Sequence, residues 1–284
     1  QGYAAAYARQ AMAYIGQIIG YKAQWEEDGK RYMEKRNPGG YMFSNADLRR
    51  LIFPLIVEQI LAVSVGMVDT MMVSSVGEAA TSGVSLVDMV NTLFINIFAA
   101  VATGGAVVSS QYLGQKRQDR ACQSADQLLI ITGILSLAIM AVCIVFRREF
   151  LSLLYRGVAE DVMRNARTYL VISAVSYPFL SVYNSCAALF RSMGNSKISM
   201  QASIIMNMIN VIGDSIFIFI FRWGVAGAAL ASLISRMAAC FILLLRLRNR
   251  NLDIHIGTSL KMNRRMVRQI LHIGIPNGIE NSIF

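Results

Sequence analysis

Residues 51–76 read LIFPLIVEQILAVSVGMVDTMMVSSV, an apolar run interrupted by only two charges, Glu58 and Asp69. A helix crosses the hydrocarbon of a bilayer in about 20 residues, at about 1.5 Å per residue, so this run predicts a membrane-spanning helix. Five more such stretches follow, at roughly 84–112, 122–146, 166–190, 197–221 and 224–246. A seventh begins near Ile270 and is still apolar at Phe284, where the sequence stops. A membrane β-barrel would instead show alternating strands of about ten residues. The composition agrees with a helical membrane protein. Of 284 residues, 55% are apolar and 15% charged, with a mean hydropathy of +0.47, whereas soluble domains carry about 25% charged residues. The expected fold class is an all-α integral membrane protein, a six-helix transmembrane bundle with the start of a seventh helix.

The net charge of +10 predicts orientation. With the N-terminus cytoplasmic, the inner segments hold most of the basic residues: Lys30, Arg31, Lys35, Arg36, Arg49 and Arg50; Lys116, Arg117 and Arg120; Arg191 and Lys197; then Arg246, Arg248, Arg250, Lys261, Arg264, Arg265 and Arg268. The outer connections hold Arg147, Arg148, Arg156, Arg164, Arg167 and Arg222. The positive-inside rule therefore places the N-terminus in the cytoplasm of a multi-pass plasma-membrane protein. These charges border apolar spans and form no patch interleaved with aromatics, so no nucleic-acid partner is expected.

The chain divides into an extension over 1–48, a bundle over 49–248, and a cytoplasmic linker leading into a seventh helix over 249–284. In the extension, Tyr7, Tyr14 and Tyr21 recur every seven residues, as do Gln10, Gln17 and Gln24. That period suits a helix with a tyrosine stripe, while the opening Gln1 and the Asn37-Pro38-Gly39-Gly40 stretch suit a non-native leader ahead of a start at Met42. Cys122, Cys143, Cys186 and Cys240 show no CxxC spacing, and His255 and His272 stand isolated in sequence. No disulfide framework, zinc site, nucleophile-and-base arrangement or phosphate-binding glycine loop is indicated. No enzyme chemistry and no cofactor are therefore expected. Gly104-Gly105 inside the second span reads as a close helix contact.

The first and seventh spans open alike, Leu51-Ile52-Phe53-Pro54-Leu55-Ile56-Val57-Glu58 against Ile273-Gly274-Ile275-Pro276-Asn277-Gly278-Ile279-Glu280. Six intervening spans return the chain to the same side, so the copies share orientation. Parallel repeats of this kind are found in transporters. Together with the stop at Phe284, they predict a protein of two six-helix halves, of which this chain supplies the first and lacks the second bundle.

Carboxylates inside spans cost about 2.5–3.5 kcal/mol each on insertion scales. Asp69 and Asp214 are the deepest, each about 11 Å from the outer end of its span at helical rise, with Ser232 in nearly the same layer. At about 100° per residue, Ser199, Ser203, Asn207, Asn210 and Asp214 share one face of the fifth span, within about an 80° sector. Two carboxylates with an amide oxygen and a hydroxyl suit either a bound Na⁺ or a proton relay. Interhelical packing bonds are the plainer reading of Ser199 and Ser203, and a small-residue ladder with Gly224 and Ala228 competes for Ser232. Glu58 and Asn207 are candidates for lining a substrate path. Glu58 and Arg236 stand at similar depth and are expected to form an intramembrane ion pair. Asp88 and Asp126 are expected at the interface.

Several segments in order resemble one family, the multidrug and toxic compound extrusion (MATE) transporters. They run from Pro54 through Val68-Asp69-Thr70-Met71-Met72-Val73 to Val76-Gly77-Glu78-Ala79-Ala80. Ala106-Val107-Val108-Ser109-Ser110-Gln111-Tyr112-Leu113-Gly114 and Leu189-Phe190-Arg191-Ser192-Met193-Gly194 follow. Asn210-Val211-Ile212-Gly213-Asp214 and Gly224-Val225-Ala226-Gly227-Ala228-Ala229-Leu230-Ala231-Ser232 complete the set. The similarity covers about residues 43–284. It implies the N-terminal bundle of a two-bundle transporter that works by alternating access, taking in Na⁺ or H⁺ as a small cationic amphipathic compound leaves. By this resemblance the family's cation site falls on Asp69, Asn210, Asp214 and Ser232, where many members have threonine. Pro54 matches a proline at which the first helix bends in some members. Ser74-Ser75-Val76 departs from the more usual glycine-and-basic sequence. A lipid-linked oligosaccharide flippase of related build, which should carry a more cationic cavity, and a non-transporting fragment are the alternatives.

Overall fold

In the computed structural model, residues 45–155, 157–257 and 262–283 are described. The tyrosine stripe, the start at Met42 and Arg156 lie outside the described residues, as does the side chain of Glu280. The helices are α1 (Asn45–Ser74), α2 (Glu78–Gly114), α3 (Gln118–Val145), α4 (Arg147–Leu154), α5 (Glu160–Ser192), α6 (Ser196–Asp214), α7 (Gly224–Leu247) and α8 (Arg264–Ile283). A π-helical segment, Ser215–Ile220, continues α6 directly after Asp214. Six of these elements are long and apolar enough to cross a membrane: α1, α2, α3, α5, α6 with its π extension, and α7. Helices meet the demand that hydrocarbon imposes, because backbone N–H and C=O groups inside them are paired within the segment, except where an interior proline removes a donor.

Two helices begin earlier than their apolar runs. α2 starts at Glu78 and α5 at Glu160, six residues ahead of the expected 84 and 166. Acidic residues in the first turn, Glu78 in α2 and Glu160 with Asp161 in α5, lie at the positive end of the helix dipole. Charge at a favourable terminus extends a helix beyond the reach of hydropathy. The expected outer connection 147–167 is accordingly mostly helical. It contains the short α4, and Arg167 sits two turns into α5 beside Glu160, 3.1 Å away.

α2 packs along α5, α5 along α7, and α6 along α7, while α1 leans mainly on α6. The largest core cluster runs through Val101, Leu128, Leu189, Phe190, Leu243 and Leu247. Tyr177, fully buried, is wedged between Phe94 and Phe98 with centroids 5.4 and 6.1 Å away. The opposite faces carry exposed apolar side chains such as Met71, Leu137, Ile220 and Leu245, suited to hydrocarbon. The chain is a multi-pass membrane protein.

Gly104 and Gly105 do mark close contacts. A Cβ on Gly104 would lie 2.5 Å from the Ile270 carbonyl oxygen and 2.7 Å from the Gly274 nitrogen. One on Gly105 would lie 2.5 Å from Leu128. The first contact seats α8 directly on α2. Between them the linker folds back onto the base of α3. Asp126 accepts the Gly257 N–H at 2.9 Å, Gln127 Oε1 accepts the Asn263 N–H at 2.7 Å, and Ile254 is fully buried. The same fold-back brings His255 Nδ1 to 3.6 Å from Cys122 Sγ, so this histidine is not isolated. Pro54 lies inside α1 and Pro276 inside α8. Each removes one backbone donor and loosens its helix locally.

Candidate functional site: a carboxylate pair between α1, α6 and α7

α6 and α7 approach closely because small residues line their crossing. A Cβ on Gly213 would meet Ala231 at 2.9 Å, and one on Gly227 would meet Phe217 at the same distance. This approach sets Ser232 of α7 against Asn210 of α6, while α1 brings Asp69 to the same layer. The Asn210 amide bridges them. One terminal atom lies 3.1 and 3.2 Å from the two oxygens of Asp69, the other 3.3 Å from Ser232 Oγ. Facing two acceptor oxygens, the amide presents its nitrogen, which donates to Asp69 and leaves its oxygen for the Ser232 hydroxyl. One turn further along α6, the Asp214 carboxyl meets that of Asp69. Asp214 is 1% exposed, and neither of its oxygens receives a hydrogen bond.

Asp69, Asn210, Asp214 and Ser232, proposed from spacing, are thus brought together. Their oxygens come from two carboxyls, an amide and a hydroxyl. Among the described residues no group of three or more His, Cys, Asp and Glu side chains gathers in the manner of a tight transition-metal site. A donor set of hard oxygens favours a group I cation or a proton over a soft metal. Leaving a buried charge uncompensated costs about 3–5 kcal/mol. Arg236 supplies one positive charge within electrostatic reach of Asp69, so two ionised carboxyls leave a negative charge that a shared proton or a bound cation would balance.

Beyond this pair lies a second polar group that the sequence reading placed elsewhere. Asp88 was expected at the interface, but it stands inside the bundle. Asn91 Nδ2 donates to it at 3.3 Å, and the Tyr177 hydroxyl donates to Asn91 Oδ1 at 2.7 Å. Tyr169 and the charge of Arg236 also face Asp88. Because α2 starts at Glu78, Asp88 sits nearly three turns inside the helix. The i, i+3 spacing of Asp88 and Asn91 was the signal that could have found it.

The expected Glu58–Arg236 ion pair does not form. Glu58 pairs with Arg191 at 3.6 Å and accepts the Ser199 hydroxyl at 3.0 Å. Arg236 Nη1 donates to Ser176 Oγ at 2.6 Å. Helical side chains lean toward their own N-terminus. α1 and α7 start at opposite ends of the bundle, so Glu58 and the long Arg236 side chain lean apart from a shared depth. Glu58 therefore stands apart from the carboxylate pair. Asn207 lies on the same α6 face as Asn210, 9% exposed, with its Nδ2 unpartnered.

Comparison with known proteins places the chain among transporters. It is 30% identical over 254 residues to the uncharacterized transporter YisQ of Bacillus subtilis, covering 86% of this chain and 54% of that protein. It is 26% identical over 238 residues to the probable multidrug resistance protein YoeA of the same organism, covering 80% of this chain and 51% of that one. The chain thus spans about half the length of the curated relatives it matches. Two solved structures share the fold. One is a MATE crystal structure in the bent conformation, with a TM-score of 0.76 at 20% identity, covering 83% of this chain and 53% of that one. The other is an outward-facing multidrug resistance MATE family transporter of the MOP superfamily, with a TM-score of 0.76 at 22% identity, covering 82% and 52%. The MatE family model matches residues 54–216, which takes in α2 to α5 whole and α1 and α6 from Pro54 to beyond Asp214: this chain belongs to the MatE family.

Proposed function

We propose that this chain forms the N-terminal six-helix lobe of a cation-coupled exporter of small, amphipathic organic cations. In this reading 49–248 is the lobe and 249–284 is a cytoplasmic linker leading into the seventh helix. A second six-helix bundle completes the transporter, and the N-terminus faces the cytoplasm of the plasma membrane. The observation that carries it is Asp214, buried without a donor against Asp69 and beside Asn210 and Ser232. The names of relatives support the class of cargo, since YoeA is described as a probable multidrug resistance protein.

The mechanism follows from charge. With both carboxylates ionised, the cluster attracts a cationic substrate. Uptake of Na⁺ or H⁺ cancels one of the two negative charges, weakens that attraction, and lets α1, α6 and α7 repack. Mutual exclusion of the two cations at one charge cluster is reciprocal by linkage, and a coupling of about 1–3 kcal/mol corresponds to roughly 5–150-fold in affinity. Alternation between outward and inward access then turns exclusion into exchange. The π segment that begins directly after Asp214 gives α6 a place to change register, as π segments at functional sites do.

The test is efflux from cells or proteoliposomes carrying the full-length protein with Asp69→Asn or Asp214→Asn. Each variant should lose export driven by a Na⁺ or proton gradient. Undiminished gradient-driven export in both would remove the proposal.

A further inference from the structure

The polar face of α6 does not end at Asn210. Toward the end of the bundle that carries Arg191, it continues through Asn207, Ser203 and Ser199, all buried, each one helical turn from the next. Neighbours at that spacing stand about 5–6 Å apart, and the full run from Asp214 to Ser199 covers about 22 Å. At its far end Ser199 donates to Glu58, which holds Arg191. The Glu58 side chain is 13% exposed and that of Arg191 33%, so this pair stands at the mouth of the seam. The face is turned inward. Met208 and Ile212, on the other side of the same helix, are exposed.

Packing bonds between helices account for part of this seam and not for the rest. Asn207 Nδ2 is buried with no partner. The Tyr183 hydroxyl, also buried, faces Ser203 and Glu58 and lines the same seam. Polar atoms placed for adhesion are paired, because an unpaired buried donor is destabilising. An unpaired amide donor on a continuous polar face, with a carboxylate at each end, fits water and an ion in transit: a water oxygen accepts from Asn207 Nδ2, while the serine hydroxyl oxygens face the cation.

We propose that this seam is the route by which the coupling cation travels between the Asp69–Asp214 pair and the basic side of the membrane, with Glu58 as its last station. Arg191 is the counter-ion that holds Glu58 when the cation is absent and is displaced when it arrives. The inference rests on the coupled transport proposed above. The cargo of the seam is a small monovalent cation, Na⁺ or a hydrated proton.

The test compares the full-length protein with its Asn207→Leu, Ser203→Ala and Glu58→Gln variants in proteoliposomes. It follows ²²Na⁺ movement and, separately, lumenal pH with a dye. A conduction role predicts exchange slowed about tenfold or more in Asn207→Leu and Glu58→Gln, and less in Ser203→Ala. The cation concentration giving half-maximal rate should stay within about twofold of wild type. Asn207→Ser, which keeps the seam polar, should recover most of the rate, and it also serves where the leucine variant does not fold. Wild-type rates in Glu58→Gln and Ser203→Ala would overturn the route, as would a half-maximal concentration that moves in step with the rate. Gradient-driven exchange that persists in Asp214→Asn would instead remove the coupling proposal itself. The sodium and pH readouts tell which cation the seam carries.

Discussion

Ser232 offers a hydroxyl to the Asn210 amide, and the amide passes its own hydrogen bonds to Asp69. This chain holds the carboxylate in place through an amide whose two ends are both engaged. Replacing Ser232 with threonine keeps the hydroxyl and should keep cation affinity within about twofold. Replacing it with alanine leaves the amide oxygen without its donor, a loss worth about 1 kcal/mol, or roughly five- to tenfold in affinity. Isothermal titration of the full-length protein with Na⁺, repeated across pH, measures both. The polar stripe on α6 was legible from the sequence because intramembrane polar residues are rare and helical periodicity is fixed. Asp88 was misplaced because hydropathy marks where lipid-compatible residues begin, whereas α2 begins at Glu78 for electrostatic reasons. The Glu58–Arg236 expectation failed because depth along the axis was compared at Cα, while side chains of antiparallel helices lean in opposite directions.

The α2–α8 contact is made by backbone at Gly104, where the Ile270 carbonyl and Gly274 leave no room for a side chain. Gly104→Val should therefore push the start of the seventh helix off the bundle and cost about 1–3 kcal/mol, as overpacking typically does. Thermal unfolding in detergent would show this as a drop of a few degrees or more. Gly133, where a Cβ would meet nothing within 4 Å, is the control and should tolerate alanine. The linker is pinned in the same region. Asp126→Ala removes the acceptor of the Gly257 N–H and should increase protease cleavage between residues 249 and 257, with the Asp69–Asp214 pair unaffected. Gly104 was readable as a packing glycine, since small residues admit close helix approach. Its partner was not, because nothing local in a sequence says which helix will arrive. The linker's attachment was hidden for a related reason: Asp126 and Gln127 bond to backbone N–H groups of Gly257 and Asn263, which carry no residue-specific signal.

Six spans with basic residues clustered on one side make an orientation prediction for the assembled transporter. In a cysteine-free background, a cysteine at Arg250 should be labelled by a membrane-impermeant maleimide only after the cells are opened. One at Arg222, at the other end of the bundle, should be labelled in intact cells, and the reverse pattern would invert the topology. The fold was the most legible part of this chain, because the bilayer imposes one length and one polarity on every span. Coupling was the least legible, because two carboxylates, an amide and a hydroxyl serve Na⁺ and H⁺ alike. In the proposed mechanism, cation and substrate exclude each other at the Asp69–Asp214 pair. This exclusion is tested most directly by the affinity of the full-length protein for a fluorescent amphipathic cation such as ethidium, measured across Na⁺ concentration and pH. The wild-type apparent Kd should rise about tenfold or more as the coupling cation saturates its site, while in Asp214→Asn it should be weak and unresponsive. A wild-type Kd indifferent to both Na⁺ and pH, or an Asp214→Asn variant that responds as wild type does, would contradict the account.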